Sequence, residues 1–391
     1  MFELLSPYWP HILAFLSITM GAAAAIHAAM TKREVRSAIG WVGVIVLSPL
    51  LGALIYAVAG VNRIRRKSLI SRRALHLDEL WRTLSHYGVS RDEVETRFGS
   101  RMAGLKTLGD RVAKHALSSG NRIDMLSSGD ETYAAFCAAI DAAERSIILE
   151  TYIFDRDTAG LRVADRLIAA HKRGVSVRVL IDAVGARYSV PSIPGYLAEG
   201  GVTVAAFNGK VVAGLRLPYA NLRTHRKILV VDGAVALLGG MNIRAAFEGD
   251  EAARDTHFRL TGPAVADLFA VAAEDWHFET GHILNGDVRN VAPNTAEPGT
   301  PSFLRTEVSG PHTNLETNHK KMMGAISVAE KTIRIKSHYF NTHNILIAAH
   351  KRGVSVRVLI DAVGARNTVP SITGYKAEGG VTVARIKGQI V

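Results

Sequence analysis

The chain has 391 residues, of which 48% are apolar and 21% charged, and a mean hydropathy of +0.13, which excludes a disulfide-rich miniprotein and a largely disordered chain. Its 47 Lys and Arg outnumber 35 Asp and Glu, and the net charge of +12 favours a phosphate-bearing partner: a nucleic acid, an anionic bilayer or a phosphorylated substrate. The single cysteine, Cys137, excludes an intramolecular disulfide and a cysteine-rich zinc site, and we interpret it as a core residue.

Two apolar stretches near the N-terminus are long enough to cross a bilayer as helices. Residues 9–30 contain no acidic or basic side chain except two histidines, and residues 40–62 contain none. At about 1.5 Å per residue, each could span a hydrocarbon core of roughly 30 Å. A cleaved signal peptide is the alternative for the first stretch, but residues 1–10 lack the basic residues of such a signal. The sequence therefore predicts a transmembrane helical hairpin over 1–66, kinked at Pro49.

Basic residues beside the two stretches predict the orientation of this hairpin. The loop between them carries Lys32, Arg33 and Arg36, whereas residues 63–73 carry six Lys and Arg. Because cytoplasmic flanks are enriched in basic residues, the N-terminus and the chain after residue 63 are predicted to be cytoplasmic.

The rest of the chain has the alternating helix and strand patterns of an α/β protein. Apolar periodicity predicts helices over 133–143 and 159–172 and strands over 146–154 and 175–182. We divide this part into a connector (67–119), a first α/β half (120–280), a linker (281–302) and a second, incomplete half (303–391).

An internal repeat supports the two halves. Residues 169–212 and 348–391 align without a gap at an offset of 179, with 35 of 44 positions identical. Ala143-Glu144 matches Ala329-Glu330 at an offset of 186, so the second copy lacks seven residues before the aligned segment. We expect the two copies to adopt the same backbone.

One motif has the chemistry of a phosphate site. Apolar residues 228–231 predict a strand, and Asp232-Gly233 predicts a turn into a second strand over 234–238. Residues two apart on a strand share a side, so His225 and Lys227 should converge while Arg226 points away. An imidazole beside an ammonium can attack phosphorus while the cation binds the phosphate oxygens. The alternative, a surface strand with chance His and Lys residues, is disfavoured by the accompanying Asp232 and by Gly239-Gly240-Met241-Asn242.

These residues match a known family. The spacing of His225, Lys227 and Asp232 resembles the His-x-Lys-(four residues)-Asp signature of the phospholipase D superfamily, and the whole chain resembles the bacterial cardiolipin synthases within it. The further matching segments are Gly40-Trp41, Pro49, residues 150–154, Arg173-Gly174-Val175, residues 254–257, residues 262–265, Asp275-Trp276, Ser309-Gly310-Pro311 and Tyr339-Phe340.

The resemblance implies a phospholipase D-like α/β fold of two halves related by a pseudo-twofold axis, and a metal-free phosphatidyl transfer without a cofactor. It implies that His225 is the nucleophile, that Lys227 and Asn242 bind the phosphate, and that Asp255 orients the imidazole. For Asp255, a surface ion pair with Arg254 is the alternative. Asp232 is grouped with the catalytic residues, and its implied role within the motif is structural. Gly239 and Gly240 are expected at the substrate, and Glu150 and Tyr152 are expected to support the strand.

The resemblance also implies a bacterial inner-membrane enzyme with several spans. Its partners are phosphatidylglycerol and other anionic lipids, with no nucleic acid expected and a homo-oligomer possible.

The sequence departs from the family in its second half. Family members carry a second His-x-Lys motif that supplies a general acid, and the repeat offset would place a second His225 at position 404, after Val391. His338 and His350 are not followed by x-Lys and do not replace it. Two alternatives therefore stay open beside a cardiolipin synthase: a single-motif phosphodiesterase or nuclease completed by a second copy, and a catalytically impaired membrane protein.

Overall fold

A computed structural model describes residues 8–32, 35–60, 87–207, 211–212, 215–216, 223–284, 302–309, 316–337, 343–361 and 382–386. Contacts divide the chain into two units, one formed by residues 1–67 and 210–221 and the other by residues 68–209 and 222–391. Of the segments discussed above, residues 61–86, most of the linker, Gly310-Pro311, His338, Tyr339-Phe340 and residues 362–381 lie outside the described residues.

The first unit contains one long apolar helix, α1 (Trp9–Thr31), which alone among the described helices is long and apolar enough to cross a membrane. The second apolar stretch forms two shorter helices, α2 (Val35–Leu47) and α3 (Pro49–Ile55), followed by a π-helical turn (Tyr56–Gly60). One helix ends at Leu47 and another begins at Pro49, so the chain is broken at the residue where the sequence predicts only a kink.

The break at Pro49 reverses the chain. The Trp41 and Tyr56 ring centroids are 5.3 Å apart, so α2 and α3 are antiparallel. His27 Nδ1 lies 2.8 Å from the Tyr56 hydroxyl, and Lys32 Nζ donates to Gly60 O at 2.5 Å, so Gly60 returns to the end of α1. The second stretch is consequently not the single continuous helix that the sequence predicts, because the chain turns back after Leu47.

The second unit begins with α4 (Arg91–Phe98) and α5 (Ser100–Val112) and then forms most of the large sheet. Its strands and helices up to the active-site strands are β1 (Ser118–Leu126), α6 (Gly129–Asp141), β2 (Ser146–Thr151), α7 (Thr158–Lys172), β3 (Ser176–Asp182), α8 (Ile193–Glu199) and β4 (Thr203–Phe207). A two-stranded ribbon, β5 (Val211–Val212) and β6 (Leu215–Arg216), belongs to the first unit. The second unit continues with β7 (Ile228–Val231), β8 (Val235–Gly239), β9 (His257–Thr261), α9 (Ala264–Thr280) and β10 (Ser302–Leu304).

The large sheet has the strand order β10-β1-β9-β8-β7-β2-β3-β4 among the described residues. Strands β2, β3 and β4 are parallel, and the other neighbours are antiparallel. Both faces are covered: Ile147 and Leu149 pack into the core beneath α6 and α7, whereas Ile148 and Val230 pack beneath α9. A sheet buried on both faces requires continuous apolar strands, which explains the uninterrupted apolar runs in the sequence.

The C-terminal part contains α10 (Thr317–Val328), β11 (Thr332–Ser337), α11 (His343–Lys351), β12 (Ser355–Asp361) and β13 (Thr382–Ile386). The last three strands form a parallel sheet in the order β11-β12-β13. Strand β10, which opens the predicted second half, instead pairs with β1 in the large sheet.

Where both copies of the repeat are described, they have the same secondary structure, as predicted. Strands β3 and β12 have equivalent bounds, and the preceding glycines, Gly174 and Gly353, have φ of 93° and 90°. The Arg173 guanidinium donates to Ile140 O at 2.9 Å, and Arg352 makes the equivalent bond to Ile326 O at 3.0 Å. The described part is thus a mixed α/β fold with two similar βαβ units, and the pseudo-twofold relation between them stays a prediction.

Candidate active site

The sheet topology brings the predicted site residues to one edge. Strand β7 runs antiparallel to β2 and β8, and β8 runs antiparallel to β9. The start of β7, the end of β8 and the start of β9 therefore lie at the same edge. His225 and Lys227 precede β7, Gly239 ends β8 and residues 240–242 follow it, and Asp255 precedes β9.

His225 and Lys227 lie on the same side of their segment. The Tyr152 ring centroid is 5.1 Å from that of His225 and 5.6 Å from Lys227 Nζ, so both side chains approach the same aromatic ring. Lys227 Nζ donates to His225 O at 2.9 Å. Arg226 points away and pairs with Asp275 of α9 on the other side of the sheet. The predicted convergence is therefore confirmed.

The imidazole and the ammonium have shifted pKa values. Partial burial of the ring, followed by the Lys227 charge, lowers the pKa of His225, and Asp182 opposes this shift. Burial lowers the pKa of Lys227 to about 8, although Asp255 and Glu150 oppose the shift. A neutral imidazole beside a buried cation has the charge pattern of a nucleophile next to a phosphate-binding group.

Buried polar groups support this pair. Glu150 is 1% exposed, burial raises the pKa of its carboxyl, and the Thr224 hydroxyl donates to it. Asp182 is fully buried and accepts from Thr224 N at 3.1 Å. These contacts fix the backbone immediately before His225. Glu150 therefore supports the strand end, in agreement with the sequence analysis.

Asp232 lies at the opposite end of β7 from His225. Its carboxylate accepts three backbone N–H groups: those of Glu144 at 2.9 Å, Arg145 at 2.8 Å and Ser146 at 2.7 Å. Its own backbone has a positive φ of 52° at the turn into β8. Although we grouped Asp232 with the catalytic residues, this geometry supports only the structural role, because the carboxylate joins β7 to the start of β2.

Asn242 presents a hydrogen-bond donor at the site. Its Oδ1 accepts from Ile153 N at 3.1 Å, which fixes the orientation of the side-chain amide. The backbone carbonyl of Asn242 accepts from the Tyr133 hydroxyl at 2.7 Å. Within the described part of the chain, no hydrogen bond uses the Asn242 amide nitrogen, so this NH₂ group is available to a phosphate oxygen.

Gly239 and Gly240 have a packing role in the structure. Their N–H groups donate to Lys227 O at 3.4 Å and Thr256 O at 3.1 Å, so these donors are already used. A Cβ on Gly239 would approach Thr256 O to 2.4 Å, and a Cβ on Gly240 would approach the Asp255 carboxylate to 2.3 Å. The two glycines therefore let the start of β9 approach β8, and the substrate contact expected of them stays a prediction.

Asp255 lies near the cation rather than on the imidazole. Its Oδ1 accepts from Thr256 N at 2.7 Å, and its charge raises the pKa of Lys227. Among the described side chains, no hydrogen bond joins Asp255 to His225 and no ion pair joins it to Arg254. The imidazole-orienting role of Asp255 stays a prediction, and the alternative ion pair is not formed.

Two features that involve histidines, one at this site and one on α10, are not predicted by the sequence. His257 is fully buried, and within the described part of the chain neither of its ring nitrogens is hydrogen-bonded; burial followed by the Lys227 charge lowers its pKa to about 4. The sequence feature that could have revealed it is the motif at residues 254–257, since the alternation of side chains along β9 places residue 257 in the interior. His319 and Lys321 also have His-x-Lys spacing, but they lie on α10 with Ile326 in place of the motif aspartate.

We expect Gly239→Ala to destabilise the edge of the sheet. The added Cβ would meet backbone atoms of Thr256 and His257, which cannot move without shifting β9. Overpacking of this kind costs about 1–3 kcal/mol. Urea denaturation measures the loss, with Gly195→Ala as the control because its Cβ meets nothing within 4 Å. Equal stabilities of the two variants would contradict the packing role.

Comparison with known proteins identifies similar sequences over most of the chain. Residues 136–272 match the family described as cardiolipin synthase, PLD-like domain, and residues 21–60 match the phospholipase D-nuclease N-terminal family. The chain is 31% identical over 342 residues to a cardiolipin synthase of Alkalihalophilus pseudofirmus, covering 84% of this chain and 66% of that protein. It is 32% identical over 368 residues to cardiolipin synthase A of Pseudomonas aeruginosa, covering 90% of this chain and 72% of that protein. The chain thus spans about two thirds of the length of the first of these relatives.

Two solved structures illustrate the structural similarity. The phosphatidylserine synthase of Haemophilus influenzae aligns with a TM-score of 0.47 and 14% identity over 72% of this chain and 79% of that chain. The phospholipase D family member Nuc of Salmonella typhimurium aligns with a TM-score of 0.33 and 21% identity over 41% of this chain and 96% of that chain.

Proposed function

This chain belongs to the cardiolipin synthase family of phospholipase D-like proteins, and from that premise we propose that it joins two phosphatidylglycerol molecules into cardiolipin and releases glycerol. The observation that carries the proposal is the edge of the large sheet where the Tyr152 ring contacts His225 and Lys227, and where the next residue, Ile153, donates its backbone N–H to Asn242 Oδ1. An imidazole, a buried ammonium and an amide donor are the groups that a phosphodiester transfer requires.

The proposed reaction has two displacements at phosphorus. In the first, a neutral His225 nitrogen attacks the phosphodiester, an N–P bond forms, and the bond from phosphorus to the glycerol oxygen breaks. The departing oxygen takes up a proton from solvent and glycerol leaves, and the proton released in the second displacement returns to solvent. In the second, a hydroxyl of another phosphatidylglycerol attacks phosphorus, gives up its proton, and releases His225. Lys227 and Asn242 bind the phosphate oxygens through both steps, and protons balance over the cycle.

The shifted pKa values predict a bell-shaped dependence of kcat/KM on pH. The rate should rise as His225 loses its proton, below its ordinary range because its pKa is lowered. It should fall as pH passes about 8, where Lys227 loses the proton that binds phosphate. In Lys227→Arg, whose guanidinium stays protonated, the alkaline fall should disappear and the maximum should decrease. An unchanged alkaline fall in this variant would show that another group titrates there.

We propose that the enzyme acts at the inner membrane of a bacterium with its catalytic part in the cytoplasm. Helix α1 is long and apolar enough to anchor it, and the basic residues 63–73 favour an anionic leaflet. Its partners are then phosphatidylglycerol and other anionic lipids, a homo-oligomer is compatible with this arrangement, and nucleic acid is not an expected substrate.

One assay distinguishes the proposed transfer from its alternatives. The purified full chain in phosphatidylglycerol vesicles should form cardiolipin and free glycerol in equal amounts, with plasmid DNA as a parallel substrate. Cleavage of DNA without cardiolipin would support the single-motif nuclease. Absence of both activities would support a catalytically impaired membrane protein and would overturn the proposed transfer.

A further inference from the structure

A cavity of about 530 Å³ lies away from the edge that holds His225. It is bounded by α4, α5, β10 and α10, and none of the proposed catalytic residues lines it. Its apolar wall is formed by Val94, Phe98, Met102, Leu105, Leu117 and Phe303. Cavities of roughly 300–1,000 Å³ with mostly apolar walls are typical of small-molecule sites.

The cavity has one strongly charged region. Asp110 accepts from Lys106 at 2.6 Å and from Arg305 Nη2 at 2.5 Å, and Lys321 pairs with Glu307. Lys106, Arg305 and Lys321 all line the cavity. Three cations and two carboxylates leave one positive charge without a counter-charge inside this cluster. An anionic group is therefore the complement that the cluster lacks.

Arg305 is the member of this cluster that has an unused donor. Its side chain is 5% exposed, yet Nη1 has no hydrogen-bond partner among the residues that the structure describes. A buried N–H left without an acceptor is costly, and a guanidinium binds an anionic oxygen strongly. Burial and the Arg305 charge also lower the pKa of Lys321 to about 8, which reflects how cation-rich this region is.

Exposed apolar side chains lie beside the same cavity. Phe98 and Met102, which line it, are 50% and 40% exposed, and Met322 of α10 is 46% exposed. An inorganic anion would satisfy Arg305 but leave this apolar surface in water. A neutral apolar molecule would cover the surface but leave Nη1 without an acceptor. The required ligand combines an apolar chain with an anionic head.

We propose that this cavity is a binding site for an anionic phospholipid, with one acyl chain among the apolar residues and the headgroup phosphate on Arg305. The site is separate from the catalytic edge and does not depend on the proposed transfer. It gives the catalytic unit a second contact with anionic lipid, independent of α1.

Photolabelling of the full chain in phosphatidylcholine vesicles tests the proposal. The probe is phosphatidylglycerol with a diazirine at the end of one acyl chain, and labelled peptides are identified by mass spectrometry. We expect labels in residues 100–112 and 317–328. The same diazirine chain on phosphatidylcholine should label these peptides about tenfold less, because the phosphate is then neutralised within a zwitterion. If only a diazirine fatty acid labels them, the ligand is a free fatty acid and the phospholipid assignment is wrong.

Substitutions in the cavity distinguish lipid binding inside it from labelling through general contact with the membrane. Ala325→Phe, at an exposed position of the lining, should fill the space and reduce labelling about tenfold or more, since the acyl chain loses its volume. Arg305→Gln should remove the preference for phosphatidylglycerol, and Arg305→Lys should keep part of it. Lys320→Gln is the matched control, because this neighbouring lysine carries the same charge, is exposed and does not line the cavity.

The outcome is independent of catalysis. His225→Ala should be labelled as the parent is, so failure of the transfer assay and failure of this site are distinguishable. Thermal unfolding confirms that each variant is folded before labelling. Labelling that persists unchanged in both Ala325→Phe and Arg305→Gln would overturn the proposed site.

Discussion

Phosphatidyl transfer should fall about 10⁴-fold or more in His225→Ala, because loss of a nucleophile removes the covalent route altogether. The substitution should leave stability within about 0.5 kcal/mol of the parent, since the ring is only partly buried and no described hydrogen bond uses its nitrogens. Cardiolipin formation in phosphatidylglycerol vesicles measures the first effect, and urea denaturation measures the second.

The matched control for this variant is His282→Ala, which removes an exposed histidine beyond the end of α9. It should keep parental activity. The intermediate offers a more direct test, because acid-quenched parent protein should carry a radiolabelled phosphatidyl group and His225→Ala should carry none. An equal amount of labelled adduct on His225→Ala would exclude His225 as the nucleophile.

Asp232→Ala should have the largest effect on stability among the motif residues. Its carboxylate accepts three backbone N–H groups at 2.7–2.9 Å, all at the start of β2. Hydrogen bonds to a charged group contribute about 1.5–3 kcal/mol each, and these three share one carboxylate, so we expect a loss of about 3–5 kcal/mol. The urea midpoint measures this loss.

Two further variants at this turn refine the prediction. Asp232→Asn should lose about 1–2 kcal/mol, because one acceptor oxygen remains and Asn tolerates the positive φ. Asp250→Ala, at an exposed position, should be neutral. If Asp232→Ala were as stable as the parent but inactive, its role would be chemical rather than structural.

Much of this site follows from the sequence because it depends on strand alternation. The period of two residues placed His225 and Lys227 together and Arg226 opposite, and the Asp232-Gly233 turn fixed the return strand. The repeat predicted that β12 would reproduce β3. These inferences need only local geometry and identical residues, which determine identical backbones.

The remaining features depend on contacts between distant segments. The packing roles of Gly239 and Gly240 depend on how closely the start of β9 approaches the end of β8. A Gly-Gly pair in the sequence is equally consistent with a phosphate-binding loop. The buried His257 depends on the packing of Phe136 beside it, with ring centroids 5.6 Å apart. The cavity at Arg305 is formed by helices and a strand that are far apart in the sequence of the second unit. No local sequence pattern predicts that these segments meet.

The reversal of the chain at Pro49 is compatible with one membrane crossing in place of the two that the sequence predicts. If α1 crosses once and α2 and α3 form a re-entrant loop, Gly60 emerges on the face of the bilayer where α1 ends. Lys32, Arg33, Arg36 and the six basic residues of 63–73 then share that face, whereas residues 1–8 contain no Lys or Arg. On that arrangement all nine basic residues flank one face and none flanks the other, and the enrichment of basic residues on cytoplasmic flanks would place the N-terminus outside and the chain after Gly60 in the cytoplasm.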